Sequence, residues 1–395
     1  MSLPLSQRLG RIQPSATVAI TQKGRELKAK GIDVLSFSLG EPDFDTPAHI
    51  REAAKKAIDK GATRYTAARG TDELRLAIAA RSAKRRGIEH TANEVVVSVG
   101  AKHTLFNLAL ALYDPGDEVV IPAPYWVSYP EQVNFTGATS VIVETTADSG
   151  YRMSAAQLEA ALTPKTKAVI LCSPSNPTGA AYTEAQLKAR ADVLEKHDCW
   201  ILVDEIYGEL VYGDFQQRSI LEVAPQLRDR VVIVDGVSKT YAMTGWRIGW
   251  MLAPEHLASA CNKIQGQSTT NPTANAQVAA VAALEGPQEC VSEFRAAFAA
   301  RRGRLVAGVN ALEGVSCPTP DGAFYVFVNV EPLLGRGPLA TDVDVCSYLL
   351  EKAHCALVPG SAFGAPGHFR MSYACSEAQI DDGLGRIQRA LASLA

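Results

Sequence analysis

A lysine and an aspartate, each placed where a run of apolar residues breaks off, are the side chains in this 395-residue sequence best suited to chemistry. Asp204 and Tyr207 close the stretch Trp200-Ile-Leu-Val-Asp204-Glu-Ile-Tyr207, and Lys239 follows Val231-Val-Ile-Val-Asp-Gly-Val-Ser238. Runs of β-branched and aliphatic residues that stop abruptly in polar groups read as strands buried on both faces and ending at the rim of a parallel sheet. Ligands of such sheets bind beyond the carboxyl ends of the strands, so the two residues are candidates for one site despite their separation in sequence. A lysine amine in that setting bonds covalently to carbonyl carbon, and a carboxylate beside it suits a basic ring nitrogen.

Pyridoxal phosphate joins an aldehyde to such a nitrogen. Lys239 would hold the aldehyde and Asp204 would keep the ring nitrogen protonated. Ser238 and Arg247, within Ser238-Lys-Thr-Tyr-Ala-Met-Thr-Gly-Trp-Arg247-Ile-Gly249, would give the phosphate donors and positive charge. Taken singly, the lysine also reads as a solvated side chain and the arginine as half of a surface ion pair. In Val99-Gly100-Ala101-Lys102 a strand gives way to a helix, whose backbone N–H groups and positive dipole end suit a phosphate; many α/β proteins use the same turn only to reverse the chain. The rim loop Ser173-Pro-Ser-Asn176-Pro-Thr-Gly179 would aim the Asn176 amide at a phenolic oxygen, or serve only as a turn. Trp126 is placed to stack on a planar ring or to fill core. Neither a Gly-x-Gly-x-x-Gly after a strand nor a Gly-x-x-x-x-Gly-Lys-[Ser/Thr] occurs, so dinucleotide and P-loop sites lack their signatures.

The elements that must hold these residues follow from periodicity. From residue 94, seven short apolar runs alternate with helical stretches, which predicts an α/β fold: a mostly parallel seven-stranded sheet sandwiched by helices, spanning residues 47–287. Residues 1–46 carry a helical stretch, a short strand at Val34–Ser38 and the turn-rich Gly40-Glu-Pro-Asp-Phe-Asp-Thr-Pro. Residues 288–395 read as a long helix, two strands and two further helices, a smaller α+β domain against which residues 1–46 pack. Thr183-x-x-Gln186 has the form of a capping box opening a helix.

Composition bounds the partners. The apolar fraction is 47%, the net charge −3, and no basic cluster exceeds Lys84-Arg85-Arg86, which argues against nucleic acid and anionic membranes. Eight cysteines lie scattered without Cys-x-x-Cys or Cys/His spacing, which argues against a metal centre or disulfide framework and for a reducing compartment. The N-terminus lacks a charged segment followed by an apolar one, and no run reaches the roughly 18 apolar residues of a membrane span. A cytoplasmic protein is expected.

With Gly40-Glu-Pro-Asp-Phe, Ser173–Gly179, Val203-Asp-Glu-Ile-Tyr207, Ser238–Gly249 and Phe369-Arg370-Met-Ser-Tyr373 in order, the chain strongly resembles the class I aminotransferases, fold-type I pyridoxal-phosphate enzymes. The resemblance implies Lys239 as the lysine that carries the cofactor and moves the proton, Asp204 on the pyridine nitrogen, and Tyr207 and Asn176 on the ring oxygen. Ser238, Arg247 and the turn Gly100, Ala101, Lys102 would bind phosphate. Arg370 would grip the substrate α-carboxylate near the Gly40 backbone, with Trp126 on the ring. It further implies a homodimer in which Tyr65 reaches the neighbour's phosphate. Ser98-Val-Gly-Ala-Lys102, with Arg11-Ile-Gln-Pro-Ser-Ala-Thr17, resembles the bacterial aspartate branch, some members of which also take prephenate; there Lys102 and Arg11 would meet a distal carboxylate. No arginine stands near Gln267–Pro272, where the animal-type aspartate enzymes would place a second clamp. The expected reaction moves an amino group from aspartate or glutamate to a 2-oxo acid such as 2-oxoglutarate. Prephenate, alanine or aromatic transamination and carbon–sulfur lysis are the alternatives that keep the cofactor. A regulator built on the same fold would need a DNA-binding module, for which the stretch before Gly40 is too short.

Overall fold

The computed structural model describes residues 3–14 and 16–394; Ser15 of the N-terminal motif lies outside the described residues. Seven strands form the central sheet: β2 (Val95–Val99), β3 (Glu118–Ala123), β4 (Thr139–Glu144), β5 (Thr166–Cys172), β6 (Trp200–Asp204), β7 (Val231–Gly236) and β8 (Ile248–Leu252), following a two-residue β1 (Leu35–Ser36). Their order is β2-β8-β7-β6-β5-β3-β4. Only β8 runs antiparallel to its neighbours. Its amino end, preceded by Arg247, therefore lies at the same rim as the carboxyl ends of the other six.

Alternation along each strand feeds two cores. Val97, Val169, Val203 and Ile233 pack with Leu74, Ile78, Leu187 and Ala279 on one face. Val96, Ile170, Leu202 and Val234 pack with Leu105, Leu108, Val133 and Leu257 on the other. Both faces of these inner strands are thus apolar, which is why they read as continuous hydrophobic runs, whereas the edge strand β4 is partly exposed along its length. The Thr183 capping box forms as its spacing predicts, with Thr183 and Gln186 exchanging hydrogen bonds of 3.0 and 3.3 Å at the head of helix Glu184–Leu194.

A second, smaller sheet joins β9 (Tyr325–Asn329), β11 (Val358–Pro359) and β12 (His368–Ser372) in antiparallel order, while β10 (Cys355–Ala356) pairs in parallel with β1. Phe37, Phe324, Val326, Leu349 and Ile380 share a core here with Phe298 of the long helix Glu289–Asn310. Tyr207 and Tyr212, from the segment after β6, enter the same core. The two parts of the molecule thereby meet where the chain leaves the Asp204 strand. Among the described residues all eight cysteines are unpaired, no group of acids, histidines and cysteines is arranged to hold a metal, and no helix is long and apolar enough to cross a membrane.

Candidate active site

A cavity of about 290 Å³ opens at the rim of the central sheet, between it and the smaller sheet. Lys239, Asp204, Tyr207, Ser238, Arg247 and Asn176 all line it, as do Gly40, Ala101, Lys102, Trp126 and Arg370. The ends of β2, β3, β5, β6 and β7 and the start of β8 each deliver at least one of these groups, so residues more than a hundred positions apart converge.

Lys239 donates a 2.6 Å hydrogen bond from Nζ to the Gly40 carbonyl. Burial lowers its pKa from 10.5 to about 8; Glu41 pulls upward, and Arg247 and Arg370 push further down. An amine in that range is available as a nucleophile and base near neutral pH. Asp204 is buried, and desolvation raises its carboxyl to about 6 against the pull of two donors: Tyr129 Oη to Oδ2 at 2.7 Å and the Ile206 backbone N–H to Oδ1 at 3.1 Å. A desolvated carboxylate of this kind calls for a cationic partner, which the protonated ring nitrogen of pyridoxal phosphate would supply.

One part of the cavity wall is a strand-to-helix turn backed by an arginine. Gly100 caps the helix Ala101–Leu112 with φ of 84°, a left-handed conformation suited to glycine. A Cβ there would overlap the guanidinium of Arg247, so the missing side chain is what lets Arg247 lie against the turn. Arg247 donates to the Thr244 carbonyl at 2.8 Å. Ser238, Arg247 and the helix N-terminus thus surround one end of the cavity with donors.

Arg370, from β12 of the smaller sheet, also lines the cavity and is buried to 2% exposure. It donates from Nη1 to Asn176 Oδ1 at 2.9 Å and from Nη2 to the Ser38 carbonyl at 2.6 Å, and lies 4.5 Å over the Tyr325 ring. Its Nε is buried with no hydrogen-bond partner. A guanidinium whose burial lowers its pKa while a donor stays unmet is poised for an anion. Because Asn176 accepts through Oδ1, its amide N–H groups remain for an acceptor in the cavity. Tyr207 shares a 2.8 Å hydrogen bond with Tyr325, and its burial, reinforced by Tyr325, holds its hydroxyl well above the usual phenol range. Lys102 lies 4.9 Å over the Trp126 ring, its pKa lowered by burial and by Arg247. Four cations, Lys102, Lys239, Arg247 and Arg370, face one carboxylate, Asp204, around the cavity. That balance suits a ligand carrying a phosphate and carboxylates, and the donor set fits pyridoxal phosphate.

Two expected site residues lie elsewhere. Arg11 sits in a short 3-10 helix, Gln7–Arg11, against Gly137, away from the cavity. Tyr65 is 89% exposed and does not line its own chain's cavity. Three further wall residues, Tyr129, Tyr325 and Cys172, are hard to find from the sequence. Tyr129 lies one helical turn beyond Trp126, which packs edge-on against it at 5.3 Å, and that spacing was the one available clue. Tyr325 opens an aromatic strand that reads as core. Cys172, next to Asp204 across β5 and β6, has its thiol pushed up to about 12 by burial, which leaves it unreactive.

The family model for aminotransferase class I and II matches residues 32–387. A probable aspartate/prephenate aminotransferase from Rhizobium leguminosarum bv. phaseoli is 49% identical over 391 residues, covering 98% of both chains. The aspartate aminotransferase of Geobacillus stearothermophilus is 45% identical over 387 residues, again covering 98% of each. Among solved structures, the aspartate aminotransferase from Rhizobium meliloti superposes with a TM-score of 0.96 at 43% identity, covering 99% of each chain. That of Thermus thermophilus with maleate gives 0.93 at 41%, covering 98% of this chain and all of the other. Sequence, fold and site chemistry agree: this chain belongs to the class I and II aminotransferases, enzymes that depend on pyridoxal phosphate.

Proposed function

We propose that this enzyme moves the amino group of aspartate, or of glutamate, to a 2-oxo acid such as 2-oxoglutarate. The observation that carries this reading is the pair of cations on separate walls of one cavity: the buried Arg370 fork, with Nε unmet, and Lys102 over Trp126. A dicarboxylate has one group for each. The structure of the Thermus thermophilus relative was obtained with maleate, itself a dicarboxylate.

When bound, pyridoxal phosphate supplies the aldehyde that receives the amino nitrogen and the ring that accepts the electron pair left by the departing α-proton. The chain's residues do the rest. Arg370 orients the substrate through its α-carboxylate. Lys239 Nζ, neutral above about pH 8, would take the proton from the substrate α-carbon and hold it for return. Asp204, seated by Tyr129 and the Ile206 N–H, would keep the ring nitrogen protonated. Tyr207 and Asn176 would donate to the ring oxygen.

The working unit is a cytoplasmic homodimer, in which the exposed Tyr65 reaches the partner's phosphate site. Arg11 would serve the distal carboxylate only across that interface, since it stands off its own chain's cavity. Purified protein incubated with aspartate and 2-oxoglutarate should yield oxaloacetate and glutamate. Pyruvate with ammonia instead would identify a lyase. Prephenate belongs in the same assay as a second acceptor, because the Rhizobium leguminosarum relative is named for both substrates. A monomer by light scattering, with full activity, would refute the shared site.

A further inference from the structure

Behind the cavity runs a ladder of six charges that takes no part in the chemistry above. Strand alternation directs Glu205 and Asp235 to the face covered by helix Asp72–Arg86, two residues beyond Val203 and Ile233, which pack on that face. Arg86 donates from Nε to Glu205 Oε2 at 2.7 Å and from Nη2 to Asp235 Oδ2 at 2.8 Å. Arg85 Nη1 reaches the same Asp235 oxygen at 3.1 Å, and its Nε lies 3.4 Å from Glu209. Arg81 closes the series on Glu209 at 2.8 Å. Three arginines from the last two turns of one helix thus alternate with three acids. Burial alone would lower the pKa of Arg86, but Glu205 and Asp235 outweigh it and hold the guanidinium charged.

Buried ion pairs are poor stabilisers compared with apolar packing, so stability alone does not account for the ladder. Its placement does. Glu205 directly follows Asp204; Glu205 and Glu209 flank Tyr207 by two residues on either side; Asp235 stands four residues before Lys239. Gly208 lies directly beneath it: a Cβ there would overlap the Arg85 guanidinium. The backbone carrying Tyr207 is therefore seated on the charges themselves.

We propose that the ladder centred on Arg86 is a positioning device, locking the end of β6, with Asp204 and Tyr207, to the end of β7, with Lys239. Arg86, Arg85 and Gly208 are on this view positioning residues that never touch cofactor or substrate. The proposal rests on the pyridoxal-phosphate reading of the cavity. Rigid support behind contact groups matters because displacements of about 1 Å cost binding and rate by up to roughly 10²-fold.

The test titrates full-length apoprotein with pyridoxal phosphate, follows the bound cofactor's absorbance against pH, and records thermal melting separately. Arg86→Gln leaves the acids uncompensated, Arg86→Lys keeps charge but loses the planar fork, and Gly208→Ala displaces Arg85 without altering charge. Folded Arg86→Gln and Gly208→Ala should bind cofactor at least about tenfold more weakly and shift the absorbance midpoint by about half a pH unit or more, with Arg86→Lys between them and wild type. Should Arg86→Gln not fold, Gly208→Ala decides by the same two readouts. Folded variants that keep wild-type affinity and midpoint, with loss confined to the melting temperature, overturn the proposal. Wild-type protein that binds no pyridoxal phosphate overturns instead the reading of the cavity, and the two failures are thus told apart.

Discussion

Tyr129 donates a 2.7 Å hydrogen bond to Oδ2 of Asp204, and both residues are buried. The carboxylate is therefore held charged by a neutral donor against a desolvation cost that already lifts its pKa to about 6. Without that donor the neutral form gains.

Tyr129→Phe should accordingly move the acid limb of kcat/KM to higher pH. A hydrogen bond to a charged group contributes roughly 1.5–3 kcal/mol, so a rise of about one pH unit or more is expected. The sign follows from the charged form being the one stabilised: its loss keeps Asp204 protonated to higher pH. A profile superimposable on wild type would show that Tyr129 does not tune the acid.

Lys239 makes the complementary case at the basic side. Its folded pKa is depressed from 10.5 to about 8, so the amine is neutral in the fold between those values while the unfolded chain holds it charged. The contribution of this group to apoprotein stability is full above 10.5 and lost as pH falls through about 8. The rate at which apoprotein captures a simple aldehyde should rise with pH and level off just above 8, whereas an ordinary exposed lysine would keep climbing beyond pH 10. Stopped-flow absorbance gives the midpoint directly.

Gly100→Ala forces a side chain into both a left-handed backbone and the Arg247 guanidinium. Backbone strain of this kind costs about 1–3 kcal/mol, and the displaced arginine adds to it. Cofactor affinity should fall by about tenfold or more, measured by equilibrium titration, while the fold survives by circular dichroism.

Arg370→Lys keeps a positive charge but not the fork that bonds Asn176 and the Ser38 carbonyl together. Truncating one side of a buried, hydrogen-bonded charge pair costs about 2–5 kcal/mol. The kcat/KM for aspartate should drop by about 10²-fold or more, with the absorbance of the bound cofactor unchanged. An equal loss of cofactor would place Arg370 in the cofactor site instead.

Much of the sheet was legible because its strands are buried on both faces: Val231–Val234 or Ala168–Cys172 have no polar face to confuse the period, and each ends in the loop that carries chemistry. Lys239, Asp204 and Asn176 could be found because their polar groups interrupt such runs. Tyr129 and Tyr325 could not, since an aromatic residue in a helix or strand serves a core as readily as a site, and only tertiary packing brings their hydroxyls onto Asp204 and Tyr207. The ladder of Arg86, Glu205 and Asp235 was equally hidden. The Lys84-Arg85-Arg86 run reads as a solvated basic cluster until the helix places two of its members against buried acids.

The central claim concerns which amine takes the cofactor, because Lys102 lines the same cavity and also has a lowered pKa. Borohydride reduction of the protein with bound pyridoxal phosphate, followed by peptide mass mapping, fixes the attachment point. The account predicts a single pyridoxyl group on the peptide containing Lys239 and none on that containing Lys102. A label on Lys102, or a Lys239→Ala protein that still transaminates aspartate, would contradict it.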